Sequence, residues 1–484
     1  AETVTIVGAD DIVLTALSAD TVSLSAAFDT ANVTLGIDAD VTADGASDAV
    51  VTINSDADIS VDLAAASEFE ELTLSGSGAI TLNVGALADL NEAVVTNGGV
   101  ISIADAGTAD LEDVSSTELR FEATGAHVLT VASGVNVVLE DNLGTNSTFK
   151  TSSSADGSAD SMSLTLEEVQ GADLIFDATD QEIETVDITI DPSSSFDTSS
   201  AFTIHDLQGN AAADSVFNIV SADSDVDVTI TDVDASIIDA SGVAGEFTIT
   251  EQTTDESITV TGSSTNDNDV ELIGGTSATT SATFVGGAGD DVVTFEDGLA
   301  STQEQLGEQT AILGEGDNTV TSEVSSGTLA VTGGAGVDTV TATFMTDGTV
   351  SLLLGDGDNV VTLGGTHGGI EANIVLGSGD DTVTFQNNTH ADDEIVIDFG
   401  LGDDTLDMTA TAEIDLGSLT VSGLETIAFG SDFTSNDSDS ILSGSLLSGT
   451  SIELTGNGDG DDLVEIDLQD AGTFDFSSVV INQT

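Results

Sequence analysis

Along much of the chain, apolar residues alternate with small polar ones in short runs, the period of a strand buried on one face. In the second half each run follows a glycine-rich acidic loop. Three clear copies carry Gly287, Gly289, Asp290 and Asp291, then Gly314, Gly316, Asp317 and Asn318, then Gly334, Gly336 and Asp338. Three more carry Gly355, Gly357, Asp358 and Asn359, then Gly377, Gly379, Asp380 and Asp381, then Gly400, Gly402, Asp403 and Asp404. Aligned on residues 287, 314, 334, 355, 377 and 400, they are 27, 20, 21, 22 and 23 residues apart. A second strand lies between copies, as at 328–331, 350–353, 374–376 and 394–397. Each repeat is therefore one two-strand coil: acidic loop, strand, plain turn, strand. A lone coil cannot bury its inner face, whereas stacked coils can.

The first half keeps this rhythm without the glycines. Strand starts at Thr3, Val22, Val41, Ile59, Ile80 and Ile101 are spaced 19, 19, 18, 21 and 21. Between about 160 and 285 strands recur every 10 to 12 residues, again two to a coil. The expected fold is all-β: a parallel β-solenoid of the β-roll or β-helix kind, with glycine–aspartate loops on one edge. Four regions follow: 1–160, either further solenoid or a β-sandwich; 161–285, solenoid with degenerate repeats; 286–407, the loop-bearing solenoid; and 408–484, a C-terminal β region. The most polar interruption, Asn142 to Ser161, is the candidate linker.

Charge and composition narrow the partners. With 2 Lys+Arg against 89 Asp+Glu, the formal charge is −87. That excludes nucleic acid, whose phosphates need clustered basic residues, and electrostatic docking on anionic lipid. Yet 39% of residues are apolar, more than a disordered acidic chain carries. A folded chain this acidic needs salt or bound cations against its self-repulsion. There is no Cys to staple the fold and no run of 18 apolar residues to span a membrane. One proline, 18 Phe and no Trp or Tyr point to flat ladders of Val, Ile, Leu, Ala and Thr. The N-terminus AETVTIVG is already strand-like, with no basic n-region or apolar h-region.

The loops are candidate Ca²⁺ sites. Residues 286–294 fit the Gly-Gly-x-Gly-x-Asp-x-apolar-x pattern of a calcium-binding parallel β-helix. Ca²⁺ takes six to eight oxygens from carboxylates and carbonyls, and glycine lets a loop bend until its carbonyls converge. Stacking would place ions between neighbouring loops. The ligand candidates are Asp291, Asn318, Asp338, Asn359, Asp381 and Asp404. Asp290, Asp317, Asp358, Asp380 and Asp403, one residue earlier, are expected to lend carbonyls or charge. Asn318 and Asn359 lack a charge and should bind more weakly. A seventh copy carries Gly458, Asp461 and Asp462, and residues 262–272 form a degenerate one. Six copies in register outweigh the plain alternative that Gly-x-Gly-Asp loops are only β-turns.

These loops resemble those of RTX (repeats-in-toxin) proteins, exported by bacterial type I secretion and folded by extracellular calcium. The sparse loops, the unit Leu424-Glu-Thr-Ile and the segment Ile238-Asp-Ala-Ser-Gly-Val-Ala-Gly-Glu-Phe-Thr-Ile249 are similar to calcium-dependent surface-layer proteins of Gram-negative bacteria. The loop resemblance covers about 286–407, the strand style 160–484. It implies a secreted structural protein at the cell surface that self-assembles with calcium, its main partner being itself and cell-surface polysaccharide a candidate anchor. Phe474 to Ile481 would suit an uncleaved C-terminal export signal. The loops are not tandem nonapeptides, and no polysaccharide-anchoring domain stands out at the N-terminus.

Enzymatic chemistry finds little purchase. His127, His205, His367 and His390 form no His-Glu-x-x-His, no thiol exists, and no Gly-x-Ser-x-Gly elbow precedes a strand-to-helix turn. A polymer-cleaving β-helix would need basic residues for its acidic substrate, and only Arg120 and Lys150 are present. The rival readings are an extracellular filament or matrix fibre and, further off, a calcium-dependent adhesin.

Overall fold

The computed structural model describes 45 strands between Thr3 and Gln483. Of the turns it describes mainly those at 132–135, 231–236, 243–246, 262–267, 286–291, 313–318, 333–338, 356–359, 377–381, 399–404 and 423–425, and side chains chiefly from residue 100 onward. No helix occurs among the described residues. The chain falls into two compact units, Ala1–Ala244 and Gly245–Thr484. Each is a parallel β-solenoid.

In the first unit, Thr3–Ile6, Thr21–Leu24, Asp40–Asp44, Ile59–Ala65 and Ile80–Val84 stack in that order. Their register runs Val4, Val22, Val41, Val61, Leu82. A second column stacks Leu14, Leu35, Ile53 and Leu74. All these pairings are parallel, which removes the β-sandwich alternative for this region, since sandwich sheets are antiparallel. The 11-residue strand Ala93–Ile103 pairs with both columns, through Val95 with Leu74 and through Ile101 with Leu82. Further on, Leu164, Ile188 and Ile219 continue the ladder, all fully buried.

Inside the linker expected at 142–161, Ser147–Thr151 is instead a strand that pairs with Val128–Val131 and Ala172–Phe176, while 142–146 and 152–160 lie outside the described residues. Phe149 is the reason. One aromatic in a polar stretch is enough to anchor a coil: it is fully buried and stacks on Phe176 at 5.4 Å. Arg120 ties three successive coils on the outer surface of the same unit. Its Nε donates to Glu118 at 2.8 Å, and Nη1 donates to Glu140 and, at 3.0 Å, to Glu167.

In the second unit the inner column is one unbroken apolar stack: Val270, Val293, Val320, Val340, Val361, Val383, Leu406 and Ile427. All eight are 0% exposed, and each contributes roughly 1.5–3 kcal/mol by leaving water. The facing column carries Leu329, Val350, Ala372 and Ile395 in register, with Val331, Leu352, Ile374 and Ile397 beside them. Strands of the two columns alternate along the chain. The glycine-rich loops 313–318, 333–338, 356–359, 377–381 and 399–404 all connect facing to inner column, so they share one edge.

Candidate functional site

Two ladders of side chains run along that loop edge. Residues 268, 291, 318, 338, 359, 381 and 404 occupy one position on successive coils, immediately before the inner-column strands, and each is at most 1% exposed. The backbone N–H of each rung donates to the side chain of the next. Asp291 donates to Asn318 Oδ1 at 2.9 Å, Asp338 to Asn359 Oδ1 at 3.0 Å, Asn359 to Asp381 Oδ1 at 2.8 Å and Asp381 to Asp404 Oδ1 at 2.8 Å. The last rung is Glu425, whose Oε2 accepts from Asp404 N at 3.0 Å. A buried side chain thus satisfies the N–H of each loop, which would otherwise be orphaned inside the turn.

The outer ladder runs the opposite way. Asp290 N donates to Asp267 Oδ1, Asp317 N to Asp290 Oδ1 and Val337 N to Asp317 Oδ1. Asp380 N donates to Asp358 Oδ1 and Asp403 N to Asp380 Oδ1. The structure therefore places Asp290, Asp317, Asp358, Asp380 and Asp403 as exposed ties between loops, not inside them.

The glycines permit the close approach of coil on coil. Gly357 has φ +130°, and a Cβ there would lie 1.8 Å from the carbonyl oxygen of Gly336. Only glycine accepts both conditions. Gly316, Gly336, Gly357 and Gly379 donate their N–H groups to carbonyls of the next loop, those of Ala335, Asp356, Ser378 and Leu401.

The inner rungs differ in one atom. On Asn318, Nδ2 donates to Gly316 O at 3.1 Å and to Asp338 Oδ1 at 2.8 Å. On Asn359, Nδ2 donates to Gly355 O at 3.2 Å and Gly357 O at 3.1 Å. On the carboxylate rungs the corresponding atom is Oδ2, and Oδ2 of Asp291, Asp338, Asp381 and Asp404 is buried with no hydrogen-bond partner. Beside Gly286 two acceptors come close together: a Cβ there would lie 1.8 Å from Asp291 Oδ2 and 2.7 Å from Leu313 O. Gly333 repeats this with Asp338 Oδ2 at 1.9 Å and Leu354 O at 2.6 Å.

Burial raises all four carboxyls above their ordinary 3.8, Asp291 and Asp381 to about 6, against hydrogen bonds that pull the other way. The like charge of Asp404 adds to the rise at Asp381, and that of Glu425 to the rise at Asp404. Buried oxygens lacking donors are the donor set a hard cation requires, so the residues fit Ca²⁺. No three Asp, Glu or His side chains converge as a ready-made cluster among the described residues. An ion here would draw on one or two carboxylates and on loop carbonyls.

Sequence reasoning missed Asn268 as a full rung and Glu425 as the terminal one. The signal for Glu425 was present: Glu425-Thr426-Ile427 repeats Asp404-Thr405-Leu406 and Asp381-Thr382-Val383, in register through Thr405 and Thr426. Asn268 hid in the degenerate copy, where Nδ2 reaches Ser263 O, Asn266 O and Asp291 Oδ1. Gly458, Asp461, Asp462, His127, His367 and His390 lie outside the described residues, and His205 is exposed on its strand. The chain matches no protein-family model, no curated protein and no solved structure.

Proposed function

We propose that this is a secreted structural protein of the RTX surface-layer type, whose loop edge binds Ca²⁺ and whose copies assemble into an extracellular surface layer. The observation that carries the calcium reading is the set of four buried, partnerless Oδ2 atoms at Asp291, Asp338, Asp381 and Asp404. A buried carboxylate oxygen without a donor costs free energy, and four in one row share a single remedy. Asp291, Asp338, Asp381 and Asp404 would hold the ions, and the loop carbonyls would complete the shell. Bound Ca²⁺ would cancel charge inside the loops and lock successive coils together. The charge of −87 keeps copies apart until divalent cations screen or bridge them.

The test is paired spectroscopy and imaging of the purified chain with Ca²⁺ and with chelator. Calcium should sharpen the β-sheet circular dichroism, raise the melting temperature and give sheets by negative-stain microscopy. Spectra and melting unchanged by chelation would remove the calcium reading. Thin fibres in place of sheets would replace the layer by a filament.

A further inference from the structure

We propose that Asp381 and Asp404 together form the primary divalent-cation site of the chain, while Asn268, Asn318 and Asn359 fill with their own amides the place a cation takes on the carboxylate rungs. This rests on the calcium reading and deepens it.

The ladder makes the comparison atom for atom. Oδ1 does the same work on amide and carboxylate rungs, accepting the N–H of the coil before it, as Asn318, Asn359, Asp381 and Asp404 all show. What differs is the second atom. In Asn268, Asn318 and Asn359 it is an NH₂ that donates to carbonyls of its own loop. Such a loop has a donor where its acceptors converge and gains nothing from an ion. In the aspartate loops the second atom is a buried acceptor with no hydrogen-bond partner, which a cation or a proton would satisfy.

Amides and carboxylates alternate from Asn268 to Asp381, and then alternation stops. Asp291 receives the Asn268 amide at 2.7 Å, and Asp338 receives the Asn318 amide at 2.8 Å. Between Asp381 and Asp404 no amide intervenes, and the rung after Asp404 is another acid, Glu425. Both Oδ2 atoms are buried and partnerless. Coils stacked ~4.8 Å apart place equivalent oxygens at about the span of two Ca²⁺–O bonds of ~2.3–2.6 Å. One ion can therefore bridge two full negative charges here, whereas Asp291 and Asp338 each offer one.

The full chain, stripped with chelator, is titrated with Ca²⁺ by calorimetry and with Tb³⁺ by luminescence. Asp404→Asn should abolish the tightest class of sites, weakening the first binding step by about tenfold or more, because charge count sets Ca²⁺ affinity. Asp291→Asn should leave that class intact and lower only the total stoichiometry. Asn359→Asp, which extends the run of adjacent carboxylates, should add one ion, a gain that misfolding cannot mimic. Equal losses from Asp404→Asn and Asp291→Asn, or unchanged stoichiometry in Asn359→Asp, would overturn the assignment while leaving calcium binding in place. A wild-type chain that shows neither heat nor luminescence would overturn the calcium reading and this assignment together.

Discussion

Asn318 donates its amide to Asp338 Oδ1 at 2.8 Å, and the other carboxylate oxygen of Asp338 is buried without a hydrogen-bond partner. Within one pair, the ladder shows both of its states. The amide rung is complete by itself; the carboxylate rung is complete only with something added.

Replacing that amide should therefore destabilise the fold with or without metal. Asn318→Ala leaves the Asp291 N–H and Gly316 O without their partners. A loss of roughly 1–3 kcal/mol is expected from such unsatisfied groups, read as a lower urea midpoint in both chelator and Ca²⁺. A loss confined to the Ca²⁺ condition would show that Asn318 is a ligand instead.

In chelator, stability should fall as pH rises. Asp291 and Asp381 are held near 6 in the fold by burial, against an ordinary 3.8, so the folded chain binds protons more tightly than the unfolded one. Their penalty is absent below about pH 4, grows from 4 to 6 and is complete above 6. At 1.36 kcal/mol per unit it reaches at most about 3 kcal/mol per group. The double variant Asp291→Asn/Asp381→Asn should lose most of that slope and, in chelator at pH 7, melt above wild type. Identical slopes in the two proteins would discard this account.

Gly357→Ala places a methyl group against the Gly336 carbonyl at a φ of +130°. Strain of this kind costs about 1–3 kcal/mol before the clash is counted. Denaturant melts of the variant should show at least that loss, and Ca²⁺ should not restore it. Full recovery with Ca²⁺ would mean the loop relaxes without distorting its neighbour.

Arg120 is the one cation among Glu118, Glu140 and Glu167, and its side chain is 25% exposed. Arg120→Ala should destabilise the chain by up to about 1 kcal/mol, since three carboxylates would then face one another at a half-wet surface. Salt screens that repulsion, so the deficit should shrink between low and high NaCl. A deficit independent of salt would point to lost packing of the arginine stem.

Much of this was legible from residues alone. Strict alternation, a coil length near 20 and loops recurring in register dictated stacked two-strand coils, because a period of two leaves one face apolar and only a neighbouring coil can cover it. Thr328–Thr332 and Gly348–Gly355 formed where that alternation placed them. Local pattern misjudged the polar interval around Phe149, since a single buried ring weighs little in a composition but much in a stack.

The coil, the shared edge and the identity of its glycines and acids could all be read from residue order, because they are properties of spacing along one strand-turn-strand unit. Which acids lie inside depends on how the coils stack. Asp290 and Asp291 are adjacent and chemically identical, yet one ties loops at the surface and the other is sealed in with a bare oxygen. That difference arises between coils, where Asp290 accepts from Asp317 and Asp291 from Asn268, each more than 20 positions away, and no window along the chain contains it.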